Sequence, residues 1–218
     1  MRKKTLLLVG ASGLTGGAVL DYVSTGQYYD TVYLLTRRSL GISNPIVKEL
    51  VVDFESLSSF DFEDNIDDVI ICLGTTIKKA GSKEAFERVD YGAIIHSAQW
   101  AYAHGVKCCA VVSSVGADAT SSNFYLKIKG KTEDSLKSIG FQKLNIFRPG
   151  LLLGNRNEQR FGEGLAQKVF GAWTQRWPFF GKYTSVFVSQ LAKSMVESLQ
   201  KHPNGEHIIH FRDMKKYF

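Results

Sequence analysis

An α/β fold, a doubly wound parallel sheet with a small C-terminal cap, is what the 218 residues predict. Three observations lead there. Short runs rich in Val, Ile and Leu recur along the chain, apolar on both faces, as strands covered by helices on each side must be. Stretches of helical periodicity separate them. Pro occurs only four times, and no tandem repeat, low-complexity tract or linker divides the chain. Strand alternating with helix implies parallel pairing through crossover connections.

TLLLV (5–9) opens the series, followed by a helical pattern at about 14–25. VYLLT (32–36) and VKELVV (47–52) come next, and the segment before Val47 is too short for a full helix. DVIICL (68–73) precedes a helix over 83–104, where Phe86, Val89, Ala93 and Ile94 form a stripe at i, i+3, i+7 and i+8. CCAVVS (108–113), a helix over 124–139 and KLNIF (143–147) complete the core. After Pro149 the texture changes. GLLLGNRNEQRFGEGLAQ reads as a polar loop, and Phe170, Trp173, Trp177, Phe179, Phe180, Tyr183 and Phe187 follow as a substrate wall or as packing for the cap. A helix at about 189–200 and a last strand, HIIHF, end the pattern. The expected division is one domain, with a core at 1–149 and a cap at 150–218.

Net charge is +6, but the basic residues are scattered, and Lys127, Lys129 and Lys131 form the densest group. No aromatic-and-basic platform accompanies them, so nucleic acid is not an expected partner. No apolar run approaches the ~18–20 residues of a membrane helix. Cys72, Cys108 and Cys109 fit neither a zinc spacing nor a disulfide framework. They read as reduced, buried thiols of a cytoplasmic protein, and no metal is expected.

The opening MRKKTLLLVGASGLTGGAVL has the basic start and apolar stretch of a signal peptide. Its glycines break the apolar core, however, and no A-x-A-like site precedes Asp21, so a signal peptide is not expected. Gly10, Gly13 and Gly16 instead make G-x-x-G-x-x-G between a strand and a helix. Such a loop turns sharply, lets backbone approach a diphosphate, and aims the helix N-terminus at it. Leu14 begins the helix, and Ser12 and Thr15 add hydroxyl donors.

Further strand ends line the same crevice. LLTRRS offers Arg37 and Arg38 where NAD sites place an acid for the ribose 2′-hydroxyl, which favours NADP and its 2′-phosphate. Asp53 and Phe54 could meet adenine, and Asp53 reads equally well as a turn residue. Leu73, Gly74 and Thr75 bring backbone close to the cofactor. Arg156 and Arg160 read as solvated loop residues or as contacts to an anionic substrate.

VVSSVGADATSSNFYLKIKGK follows the fifth strand and holds Ser113, Ser114 and Tyr125–Lys129 at i, i+4. Chance supplies about one Tyr-x-x-x-Lys in such a chain, so position gives it weight: it is the sole pair at this spacing, on a predicted helix. The sequence resembles a short-chain dehydrogenase/reductase. SSVGADATSSNFYLKIKG, FERVDY and IFRPGLLLGNR are similar to the atypical branch that includes the Tat-interactive protein, and the likeness runs from Leu6 to about Leu199.

That resemblance implies hydride transfer with a nicotinamide cofactor, Tyr125 exchanging the substrate proton. A free tyrosine, pKa about 10, is about 0.1% ionised at pH 7, and Lys129 would favour the phenolate by its charge while holding the nicotinamide ribose. Ser114 would polarise the carbonyl, and Ser113 is open to the same role. Pro149 and Gly150 resemble the turn bordering the nicotinamide, or simply end a strand. Asp90 stands where typical members carry an Asn of the proton relay. The expected function is an NADP(H)-dependent oxidoreductase of a small carbonyl or alcohol. An NADPH-sensing regulator with a protein partner is the alternative, and a homodimer is left open. A sugar-nucleotide epimerase would use the same residues but usually carries a larger C-terminal domain than the roughly 70 residues after Pro149.

Overall fold

The structure, a computed structural model, describes residues 4–25, 27–154 and 185–218. Its strands are β1 (Lys4–Val9), β2 (Tyr29–Thr36), β3 (Val47–Val51), β4 (Asp68–Ile71), β5 (Cys108–Val112), β6 (Lys143–Arg148), β7 (Leu152–Leu153), β8 (Val186–Phe187) and β9 (Gly205–His210). Seven form one sheet in the order β3-β2-β1-β4-β5-β6-β9, while β7 and β8 pair separately. Every pairing in the large sheet is parallel. The strand order reverses around β1, which opens a crevice at the carboxyl ends of β1 and β4.

The helices are α1 (Leu14–Val23), α2 (Ile77–Ala80), α3 (Lys83–Glu87), α4 (Ile94–Ala103), α5 (Phe124–Lys137), α6 (Val188–Lys201) and α7 (Phe211–Met214). Strand alternation sends neighbouring side chains to opposite faces. Leu6, Leu8, Val32 and Leu34 pack with Val19 of α1 and with Leu191 and Met195 of α6. Leu7, Val9, Leu35 and Val69 pack with Ile94 and Ala98 of α4 and Leu136 of α5. Both faces are thus covered, as the apolar runs predict. β3 departs from that pattern: it is an edge strand, and Lys48 and Val51 are exposed.

The predicted helix over 83–104 runs from α3 to α4 through a π-helical turn, Arg88–Ala93, that periodicity does not reveal. The structure adds the short α2, which Thr76 caps, its hydroxyl accepting the Lys79 N–H at 3.0 Å. Within the stretch read as a cap, residues 185–218 supply β9 to the main sheet and lay α6 on the face shared with α1, burying Ile209, Met195 and Leu199. Among the described residues no helix is long and apolar enough to cross a membrane.

Candidate active site

The glycine loop joins β1 to α1 under tight steric limits. Gly10 has φ +89, and a Cβ there would lie 2.9 Å from the Cys72 carbonyl. A Cβ on Gly16 would fall 2.1 Å from the Gly10 oxygen. Gly13 is less confined; it caps α1 with no side-chain bond, and no acid occupies the first turn. Its N–H goes to the Gly10 carbonyl at 3.0 Å, and the next bond runs from Gly17 N–H to the Gly13 carbonyl. The N–H groups of Leu14, Thr15 and Gly16 are therefore left at the positive end of the helix. Ser12 is exposed and Thr15 is buried.

At the end of β2, Thr36 is buried while Arg37 and Arg38 are exposed. Asp53 accepts the Glu55 N–H at 3.0 Å, the turn arrangement weighed as one of its two readings. Phe54, expected as an adenine wall, is only 7% exposed and belongs to the core with Leu35, Val52 and Leu57. Leu73 is half-buried, and Gly74 is exposed beyond β4.

α5 starts at Asn123, whose side-chain oxygen accepts the Leu126 N–H at 3.2 Å. The Tyr125 ring lies against the fully buried Phe86, with centroids 5.8 Å apart. One turn on, Lys129 is buried, its Nζ 2.8 Å from Asp90 Oδ1. Asp90 Oδ2 accepts the Thr75 N–H at 2.8 Å. A Cβ on Gly74 would lie 3.6 Å from Asp90 Oδ1 and 3.9 Å from Lys129 Nζ. Burial works against the Lys129 ammonium, but Asp90, then Tyr125 and Glu133, outweigh it and hold its pKa above the ordinary lysine value.

The two serines differ. The Ser113 hydroxyl donates to buried Glu133, which also takes Nε and Nη2 of Arg148 at 3.0 and 2.6 Å. Ser114 Oγ donates to the Val115 carbonyl at 3.2 Å. The Val115 N–H in turn donates to the Pro149 carbonyl at 3.0 Å, tying the serine loop to the turn at Pro149–Gly150.

Sequence reasoning missed four residues. Glu133 continues the Tyr125–Lys129 face at the same spacing, a readable signal, and Arg148 stands directly before Pro149. Thr132 donates to the Asp90 main-chain carbonyl at 2.9 Å. Gly130 lets α5 close on the preceding loop, since a Cβ would meet Ala119 N at 2.1 Å. Arg156, Arg160, Phe170, Trp173, Trp177, Phe179, Phe180 and Tyr183 lie outside the described residues, and Phe187 is 56% exposed on β8.

A parallel sheet ordered 3-2-1-4-5-6, a glycine loop after its first strand and a Tyr-x-x-x-Lys helix after its fifth define a short-chain dehydrogenase/reductase of the Rossmann type. No family model matches the chain. It is 37% identical over 210 residues to Protein HTATIP2 of Rattus norvegicus, covering 94% of this chain and 85% of that protein. To the protein called "FMP52, mitochondrial" of Candida albicans it is 34% identical over 207 residues, covering 91% and 89%. The Bordetella bronchiseptica enzyme WbmH, solved in complex with NAD+, shares the fold with a TM-score of 0.69 at 16% identity, over 96% of this chain and 75% of that one. The chain belongs to the family of HTATIP2 and FMP52, in the atypical branch of the short-chain dehydrogenase/reductases.

Proposed function

We propose that the protein is an NADP(H)-dependent oxidoreductase moving hydride to or from a small carbonyl or alcohol, with Ser114, Tyr125 and Lys129 as its chemical groups. The observation that carries this reading is the meeting at Gly74. The backbone just before it, at Cys72 and Leu73, touches the Gly10 position of the glycine loop, and Gly74 itself faces Lys129. This adjacency supports a reading in which the glycine loop and the Tyr-x-x-x-Lys face serve one cofactor.

The residues fit a dinucleotide. Gly10 and Gly16 permit the tight turn, since a Cβ at either would strike backbone, and the loop presents open N–H groups at the start of α1. Arg37 and Arg38 would grip a 2′-phosphate. Asp53 would meet the adenine through the oxygen its turn leaves open, with Phe54 behind it in the core. Leu73, Gly74, Thr75, Pro149 and Gly150 would border the nicotinamide end. When bound, that ring supplies or takes the hydride. Tyr125 then exchanges a proton with the substrate oxygen, and Ser114 donates a hydrogen bond to it. Ser114 is assigned because the Ser113 hydroxyl is committed to Glu133. The three cysteines are free, which suits a reducing compartment. We place the protein in the cytoplasm, with cell fractionation as the check.

The test is NADPH oxidation with a panel of aldehydes and ketones, in wild type and Tyr125→Phe. The variant should bind NADPH normally and turn over at least about a hundredfold more slowly. Equal turnover in both would overturn the assignment. NADPH binding with no Tyr125-dependent turnover would leave the regulator reading in its place.

A further inference from the structure

Asp90 sits where three segments meet. It accepts the Thr75 N–H from the loop after β4, pairs with Lys129 Nζ from α5, and gives its main-chain carbonyl to the Thr132 hydroxyl. The Asp90 and Lys129 side chains are 1% and 6% exposed, so water screens neither charge. The Lys129 nitrogen is 6.0 Å from the centre of the Tyr125 ring, while its counter-charge is only 2.8 Å from that same nitrogen.

We propose that Asp90 is a positioning residue that cancels the charge of Lys129 at Tyr125, so that Tyr125 enters the reaction as a phenol and the site is poised for carbonyl reduction. This rests on the reading of Tyr125 as the proton-exchanging group. A lone ammonium favours the phenolate, but a close ion pair acts at a distance as a weak dipole. The other charges around the site are paired or exposed to solvent. Glu133, on α5 itself, is bound by Arg148 of β6, and Asp118 of the preceding loop also feels Arg148. Lys83 of α3 lies over the Phe124 ring, 5.3 Å from its centre. No uncompensated buried cation therefore faces the phenol among the described residues. In the favoured direction the carbonyl carbon takes hydride from NADPH and the carbonyl oxygen takes the Tyr125 proton. Alcohol, NADP+ and a phenolate result, and solvent reprotonates the phenolate.

The experiment reads Tyr125 directly. Full-length protein carrying tyrosine isotope-labelled at Cζ is titrated by NMR without cofactor, the Tyr125 signal being identified by its loss in Tyr125→Phe. Asp90→Asn, which keeps an acceptor for the Thr75 N–H, should titrate about one pH unit or more below wild type. The double variant Asp90→Asn/Lys129→Gln carries a neutral pair and should titrate within about half a unit of wild type. A smaller drop in the single variant, or a larger rise in the double one, overturns the proposal. If the single variant fails to fold, the double variant decides alone. No turnover is needed for this readout, so a failure of the proposed activity is seen separately in the carbonyl panel. Where turnover is present, Asp90→Asn should shift the alkaline limb of reduction and the acid limb of oxidation to lower pH together.

Discussion

Thr36 donates its hydroxyl to the Arg38 carbonyl at 2.8 Å, which turns the chain at the end of β2 and leaves Arg37 and Arg38 exposed beside the crevice. Hydrogen bonds to a charged group contribute about 1.5–3 kcal/mol, or roughly ten- to a hundredfold in affinity. Replacing both arginines by Ala should weaken NADPH binding by that factor and leave NADH within about twofold, as calorimetric titration would read. Equal losses for the two cofactors would remove the 2′-phosphate role. At this scale a residue type alone can motivate a proposal, as the two arginines after β2, in place of an acid, motivate the 2′-phosphate role. The sequence is not legible where direction matters. Ser113 and Ser114 are indistinguishable in the string, but neighbouring residues near a strand end point apart, and only Ser113 reaches Glu133.

Gly16 and Gly17 are neighbours in α1 with opposite surroundings. A methyl group at 16 would strike the Gly10 backbone at 2.1 Å, whereas one at 17 would rest 3.6 Å from the Ala11 oxygen. Gly16→Ala should therefore lower stability by about 1–3 kcal/mol and impair NADPH binding. Gly17→Ala should be neutral or stabilising by up to about 1 kcal/mol, because Ala is the better helix former. Thermal melts of the two variants check this, and equal melting would contradict the packing. α5 was readable as an element from its helical pattern and from Tyr125 and Lys129 at i, i+4, and the structure adds the Asn123 cap. The π-helical turn at Arg88–Ala93 was not, because one extra residue in a helical run leaves no mark on composition. Asp90 lies within that turn, and its partners are Thr75 of the loop after β4 and Lys129 and Thr132 of α5.

Across the whole molecule, α6 is tied to the first third of the chain through Glu197. The Tyr22 and Tyr28 hydroxyls donate to it at 2.8 and 2.7 Å, and Lys201 pairs with its other oxygen. Burial alone would raise the Glu197 pKa, but Lys201, Tyr28 and Tyr22 outweigh it and hold the carboxyl below its usual value. A depressed carboxylate stabilises the fold above its unfolded pKa, near 4.5, and that contribution is lost as pH falls through the lower folded value. Glu197→Gln should melt at a lower temperature near neutrality. Between about pH 6 and about pH 3 it should lose less of its Tm than wild type does, as scanning calorimetry would show. Parallel losses in the two proteins would dismiss the link.

The residue order by itself determined the alternation of strands and helices, the turn at Gly10, and the shared face of Tyr125 and Lys129. Each follows from a regularity within about twenty residues: a period, a missing Cβ, a four-residue spacing. Only the tertiary structure decided that 185–218 complete the main sheet, that Glu133 claims Ser113, and that Asp90 stands against Lys129. The reason is physical: a buried polar or charged group takes its partner from whatever segment folding brings within about 3 Å. Thr75, Asp90 and Lys129 come from three separate stretches of the chain, and no local pattern records their meeting.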